Sequence, residues 1–193
     1  MTTAIFGGTF DPIHSAHLVI AREAADQLAL DRVLFIPAGH PPHKQAETSY
    51  EHRFRMVELA CAADPRFVAS RLEEGGATSY SIDTIGRVKA AAGVLYFIIG
   101  ADAFAEIATW HRWEDVIRAV EFIVVARPGH QIASPAGARV HRLDTVALPV
   151  SSSEIRKELA HGQSPVELPP AVADYIRAHR LYSAGYRPSD RVP

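Results

Sequence analysis

Short apolar runs alternating with longer amphipathic stretches run through most of this chain. Ala4-Ile5-Phe6, Arg32 to Ile36, Phe67-Val68-Ala69, Val94 to Ile99 and Glu121 to Ala126 are short and apolar and predict buried strands; Pro37 closes the second. Between them the spacing predicts helices over about Ala16–Leu30, Ser49–Ala63, Ser81–Ala91 and Trp113–Ala119. Phe54, Val57, Leu59 and Ala60 supply the apolar face of the second helix. Alternation on this scale implies βαβ units, hence an α/β fold: a doubly wound parallel sheet with helices on both faces and right-handed crossovers. After Val140 to Leu148 the pattern changes. Ser152–His161 and Pro170–His179 predict a small helical C-terminal part, punctuated by Pro165, Pro169 and Pro170. One domain over 1–182 is expected, its helical part about 150–182, and the tail 183–193, short of apolar residues, is expected to fray. Ligands of such sheets sit beyond the carboxyl ends of the strands, so the loops after the strands are the ones to search.

Composition narrows the partners. A length of 193 residues supports a core without disulfides or a structural metal. With 20 Lys plus Arg against 22 Asp plus Glu, the net charge of −2 argues against a nucleic-acid coat or a polybasic membrane binder. Any bound anion must therefore be held by a local cluster. No run approaches the ~18 apolar residues of a membrane span, and Met1-Thr2-Thr3-Ala4 carries no charged stretch ahead of an apolar one, so a cytoplasmic protein is expected. Cys61, the single cysteine, falls in a helical stretch and is expected to be a small buried thiol. The 10 histidines are the oddity to follow.

The segment from Gly7 to His17 is the densest in chemistry. Gly7 and Gly8 after a strand let backbone approach a ligand, and the helix that follows offers free N–H groups and a positive dipole end, a natural phosphate site. Neither a P-loop nor a G-x-G-x-x-G pattern is present. His14 and His17 instead share one face of the helix start; the plainer alternative is that Asp11 or Ser15 caps the helix and the histidines pack locally. His40-Pro41-Pro42-His43-Lys44 follows the second strand. A four-histidine metal site is the rival reading of the two H-x-x-H pairs, disfavoured by the prolines, by the lack of Cys or H-E-x-x-H, and by the Lys44 cation. Ser151 with Glu154 forms a capping box, and Arg156 on the same first turn adds a fixed cation that capping does not explain. Asp102, just past the Val94–Ile99 strand, suits ribose hydroxyls or a helix cap, and Trp110 offers a flat face to an aromatic ring. The Thr78 to Thr84 stretch opens a helix whose amides suit a small anion.

In order along the chain, Gly7 to His14, Pro41-Pro42-His43-Lys44, Ser79 to Thr84, Gly100-Ala101-Asp102 with Trp110, Arg127-Pro128-Gly129, Ser151 to Arg156 and Tyr175-Ile176 to Leu181-Tyr182 resemble the nucleotidyltransferase superfamily marked by an H-x-G-H signature, and within it the bacterial nicotinate-mononucleotide adenylyltransferases. The resemblance runs from Ile5 to about Tyr182; each stretch is weak alone, and their joint order is specific. It implies a Rossmann-like fold and direct transfer of AMP from ATP to nicotinate mononucleotide, with Mg²⁺ carried mainly on the ATP phosphates and no metal bound by side chains. By similarity, His17 would stabilise charge at the reacting phosphate, with His14, Lys44 and Arg156 completing the catalytic set. Gly7, Gly8, Thr9, Phe10, His43, Asp102 and Ser152 would join these four around ATP. Thr9, Tyr80, Ser81, Asp83 and Trp110 would hold the nicotinate nucleotide, with Trp110 stacked on its ring. A homo-oligomer is left open.

The chain departs from the family pattern at Ala16, where Gly is usual, and at Ser153 and Ser81, where Thr is common. The serines keep a hydroxyl, whereas the Ala16 methyl could crowd a nucleotide. Rival readings are an adenylyltransferase for nicotinamide mononucleotide or phosphopantetheine, a histidine-metal hydrolase, and a nucleotide-binding regulator without catalysis.

Overall fold

Ile5 and Phe6 lie on opposite faces of β1 (Thr2–Gly8) and enter two different apolar clusters, and that alternation organises the fold. In the computed structural model, which describes residues 1–40, 46–75, 80–89, 93–129, 131–145 and 150–186, six strands form one parallel sheet. The strands are β1, β2 (Arg32–Pro37), β3 (Phe67–Ala69), β4 (Val94–Gly100), β5 (Glu121–Ala126) and β6 (Val140–Asp144), in the order β3-β2-β1-β4-β5-β6. On the Phe6 face, α1 (Ser15–Gln27), α2 (Tyr50–Cys61), α6 (Ser152–Ala160) and α7 (Pro170–Ala178) contribute Ala21, Met56, Ile155 and Val172 to a core around Phe35. On the Ile5 face, α3 (Ser81–Lys89), α4 (Ala101–Ala105) and α5 (Trp113–Ala119) bring Ile85, Phe104 and Val116 against Phe97 and Phe122. Leaving β1, the chain winds outward through β2 to β3, then returns to place β4 on the other side of β1. The loops after β1 and β4 therefore part in opposite directions and leave a crevice at this switch point.

The expected α/β architecture is the observed one, and its differences from the sequence reading are local. β1 continues through Gly7 and Gly8, because both pair with β2, opposite Ile36 and Pro37. α4 and a 3-10 turn at Ile107–Thr109 follow β4, where Asp102 as a cap was the only sign of a helix in the sequence; both are too short for a periodic pattern and are held by the buried Phe104 and Ile107. The buried face of α2 includes His52 and Arg53, while Leu59 lies partly exposed. Cys61 is buried and unpaired, and burial pushes its thiol up to about 12. At the described start of the tail, residues 183–185 are exposed and the half-buried Tyr186 lies beside Tyr182 at 6.3 Å; residues 187–193 of the expected fraying tail lie outside the described residues. Among the described residues no helix is long and apolar enough to cross a membrane.

Candidate active site

The start of α1 is closed by histidine, not by Asp11 or Ser15. His14 is the N-cap, in extended backbone, and its N–H donates to His17 Nδ1 at 3.2 Å, while the two rings lie 3.9 Å apart. An imidazole that accepts at Nδ1 and is neutral carries its proton on Nε2. Both rings are neutral near pH 7: burial pulls His14 down to about 4, and burial, then the nearby His14, holds His17 well below its usual value. His17 is thus a neutral Nε2–H donor at a helix start. Fewer backbone donors are free there than the sequence suggested, since the Ser15 N–H is taken by the Glu167 carbonyl at 2.8 Å.

Gly7 and Gly8 have different reasons to be glycine. A Cβ on Gly7 would stand in open space, whereas one on Gly8 would lie 3.0 Å from the Phe10 ring. Phe10 has a left-handed backbone (φ 50°) and is buried, with its ring 5.1 Å from that of His17. Its side chain belongs to the core beneath the histidines, so toward a ligand it offers main chain only. Ala16 is 7% exposed; most of its methyl is already covered by protein.

The two helix starts singled out in the sequence meet here. Ser152 Oγ donates to the Pro12 carbonyl at 2.9 Å and Arg156 Nη1 to the Asp11 carbonyl at 2.8 Å, so the first turn of α6 is docked on the loop between β1 and α1. The capping box is present as expected: Ser151 Oγ accepts from the Glu154 N–H, and the Glu154 carboxylate accepts from the Ser151 N–H. Asp11 itself is the hub of this junction. Its carboxylate accepts from the Glu47 N–H (2.6 Å), the Thr48 hydroxyl (2.7 Å) and the Tyr182 hydroxyl (2.6 Å), which binds the loop to the entry of α2 and to the chain beyond α7. Burial and the Asp11 carboxylate keep Tyr182 protonated by raising it well above its usual value.

Arg53 escaped the sequence reading altogether. Only 2% exposed, it donates from Nη1 to the carbonyls of Thr9 (2.9 Å) and Ala38 (2.8 Å), cross-tying the loops after β1 and β2 from below. An arginine in the middle of an apolar helical face was its only trace in the sequence.

On the other side of the crevice, Gly100 caps α4 and Asp102 lies exposed in its first turn, so the expectation that Asp102 itself caps the helix does not hold. Trp110 follows the 3-10 turn, half-buried, its ring edge-on to Phe97 at 5.9 Å. The exposed Tyr80 ring lies 4.3 Å from that of His111, which brings the start of α3, with Ser81 and Asp83, beside the Trp110 turn. His43, Lys44, Thr78 and Ser79 lie outside the described residues. His40 is exposed, and among the described residues no three His, Cys, Asp or Glu gather in a way that could hold a metal ion.

A crevice at the switch point of a parallel sheet, flanked by two docked helix starts rich in phosphate donors, defines a nucleotide-handling α/β protein. The cytidylyltransferase-like family model matches residues 5–158, and the chain belongs to that family. Among curated relatives, one from Solibacter usitatus named "Probable nicotinate-nucleotide adenylyltransferase" is 61% identical over 95% of this chain and 100% of its own length. A relative of the same name from Pelobacter propionicus is 42% identical over 95% of this chain and 99% of its own. The fold matches Plasmodium falciparum nicotinic acid mononucleotide adenylyltransferase complexed with NaAD, with a TM-score of 0.78, 21% identity, and coverage of 94% of this chain and 97% of that one.

Proposed function

We propose that the protein transfers the adenylyl group of ATP to nicotinate mononucleotide, giving nicotinate adenine dinucleotide and pyrophosphate, a step of NAD biosynthesis. The observation that carries this reading is the docking of α6 on the β1–α1 loop, which unites His14, His17, Ser152 and Arg156 at the switch point. The names of the full-length relatives support the same reaction. A 5′-phosphate oxygen of the mononucleotide attacks the α-phosphorus of ATP in line. The P–O bond to the β-phosphate breaks, and the bond electrons leave with pyrophosphate. No protein nucleophile takes part, so catalysis rests on positioning and on charge stabilisation.

In this reading the His17 Nε2–H donates to the reacting phosphate and stabilises charge as it builds. His14, His43 and Lys44 hold ATP phosphates, and Arg156 with Ser152 grips them from the α6 side. Gly7 leaves room for close approach, and the main chain of Gly8, Thr9 and Phe10 lines the path. Asp102 accepts from ribose hydroxyls. Trp110 stacks on the nicotinate ring, the Tyr80 and Ser81 amides take its carboxylate, and Thr9 and Asp83 complete that pocket. Mg²⁺ would neutralise polyphosphate charge. The carboxylates at the two helix starts are already engaged, Asp11 by Glu47, Thr48 and Tyr182 and Glu154 by Ser151, which suits Mg²⁺ arriving on the ATP phosphates. We place the reaction in the cytoplasm, where the lone thiol of Cys61 needs no oxidising environment.

The test is pyrophosphate release with ATP and Mg²⁺, comparing nicotinate mononucleotide, nicotinamide mononucleotide and phosphopantetheine as acceptors. The acid mononucleotide is expected to give the highest kcat/KM. No release with any acceptor overturns the enzyme reading, and preference for another acceptor overturns the substrate.

A further inference from the structure

We propose that Glu47 is an internal counter-anion of Arg156: its carboxylate neutralises the guanidinium when no nucleotide is bound, and nucleotide phosphate displaces it. The inference rests on the proposed grip of Arg156 on ATP. Arg156 Nε lies 2.8 Å from Glu47 Oε1, a charge contact without hydrogen-bond geometry, while Nη1 donates to the Asp11 carbonyl. With its side chain only 21% exposed, the guanidinium has lost much of its water and calls for an anion whenever no substrate is bound. Glu47 is built to supply one reversibly. Its backbone N–H is pinned to Asp11 Oδ2 at 2.6 Å and the next residue, Thr48, to Asp11 Oδ1, yet its own side chain is 56% exposed. The carboxylate can therefore swing into water by side-chain rotation alone, with the loop unmoved. Arriving phosphate replaces one anion by another at the same cation, so Arg156 stays oriented throughout by its bond to Asp11.

Such an exchange lowers ATP affinity, and removing the internal anion should raise it. This sign separates the proposal from a structural role, because loss of a merely structural contact weakens binding. The dissociation constant of ATP with Mg²⁺, without acceptor, is measured by calorimetry for the wild type, Glu47→Gln, Arg156→Ala and the double variant. Glu47→Gln is expected to tighten ATP binding by roughly two- to fivefold, the range an ion pair of this exposure supports. In the Arg156→Ala background the same change should have no effect, as a double-mutant cycle requires of coupled residues. Glu47→Ser, which also removes the carboxylate, should act in the same direction, and melting temperatures check that each variant is folded. Unchanged or weaker binding in both Glu47 variants overturns the proposal. Equal tightening with and without Arg156 overturns it too, since that is a general effect of removing negative charge. If Arg156→Ala alone leaves ATP binding unchanged, Arg156 is not a nucleotide grip and the exchange fails with it, while adenylyl transfer stands or falls by pyrophosphate release.

Discussion

At the scale of single residues, the proposed role of the histidines depends on protonation states set by burial. A charged imidazolium at His17 would attract phosphate more strongly, but burial and the neighbouring His14 keep it neutral, and its bond from the His14 N–H directs the remaining proton to Nε2. A neutral, oriented donor contributes most where charge grows during reaction, less where substrate charge is constant. His17→Ala is therefore expected to lower kcat by about 10²–10³ with little change in KM for ATP, measured by steady-state pyrophosphate release. A fall under about threefold would mean that His17 only packs against Phe10. The H-x-x-H pair was legible in the sequence because two histidines three apart at a helix start bring their rings together, here one from the N-cap and one from the first turn. The tautomer was not, since it depends on which backbone N–H the folded chain brings to Nδ1.

At the scale of elements, the crevice has one wall that sequence pattern describes well and one that it describes poorly. The wall made by α1 and α6 is announced by a strand-glycine-helix sequence and a capping box, both local features. The opposite wall, α4 with the 3-10 turn that leads to Trp110, is too short to carry a period and exists because Phe104 and Ile107 bury against β4 and β5. Trp110 sits at the end of that wall, edge-on to Phe97 and near the Tyr80–His111 pair, away from the histidine side of the site. Trp110→Ala is accordingly expected to raise KM for nicotinate mononucleotide by roughly tenfold, on the order of 1.5 kcal/mol for a lost aromatic stack, and to leave KM for ATP within about twofold. Equal weakening of both substrates in the same assay would place the ring elsewhere.

At the scale of the whole molecule, buried neutral histidines make folding sensitive to mild acid. His14 titrates at about 4 in the folded chain and near 6.5 once unfolded, and His17 is lowered as well. Between these values the unfolded chain binds more protons than the folded one, so stability is full above about pH 6.5 and falls as pH drops toward 4. Asp64, held near 2 chiefly by its hydrogen bond from Arg66, stays ionised throughout that window and does not offset the loss. Urea midpoints at pH 7.5 and 5 should show the wild type losing stability on acidification. His14→Gln, which cannot take up the proton, should lose less, by up to about 1.4 kcal/mol per pH unit within the window. Identical slopes for the two proteins would show that His14 is not held neutral by the fold.

The first five strands, the longer helices, the parallel doubly wound class and the capping box at Ser151 are determined by sequence alone, because each depends on side-chain periodicity or on residues within one turn of each other; β6 and the short α4 are not. The same holds for the family resemblance, carried by short motifs in a fixed order. What tertiary structure decided lies between segments distant in sequence. The Asp11 carboxylate gathers Glu47, Thr48 and Tyr182, Arg53 ties Thr9 to Ala38, and Ser152 and Arg156 reach across to the carbonyls of Pro12 and Asp11. A hydrogen bond between residues 145 positions apart leaves no periodic trace, since it exists only once the sheet has ordered the loops at its carboxyl edge. In the proposed function, that ordering gives a chain of net charge −2 a local site for a polyanion.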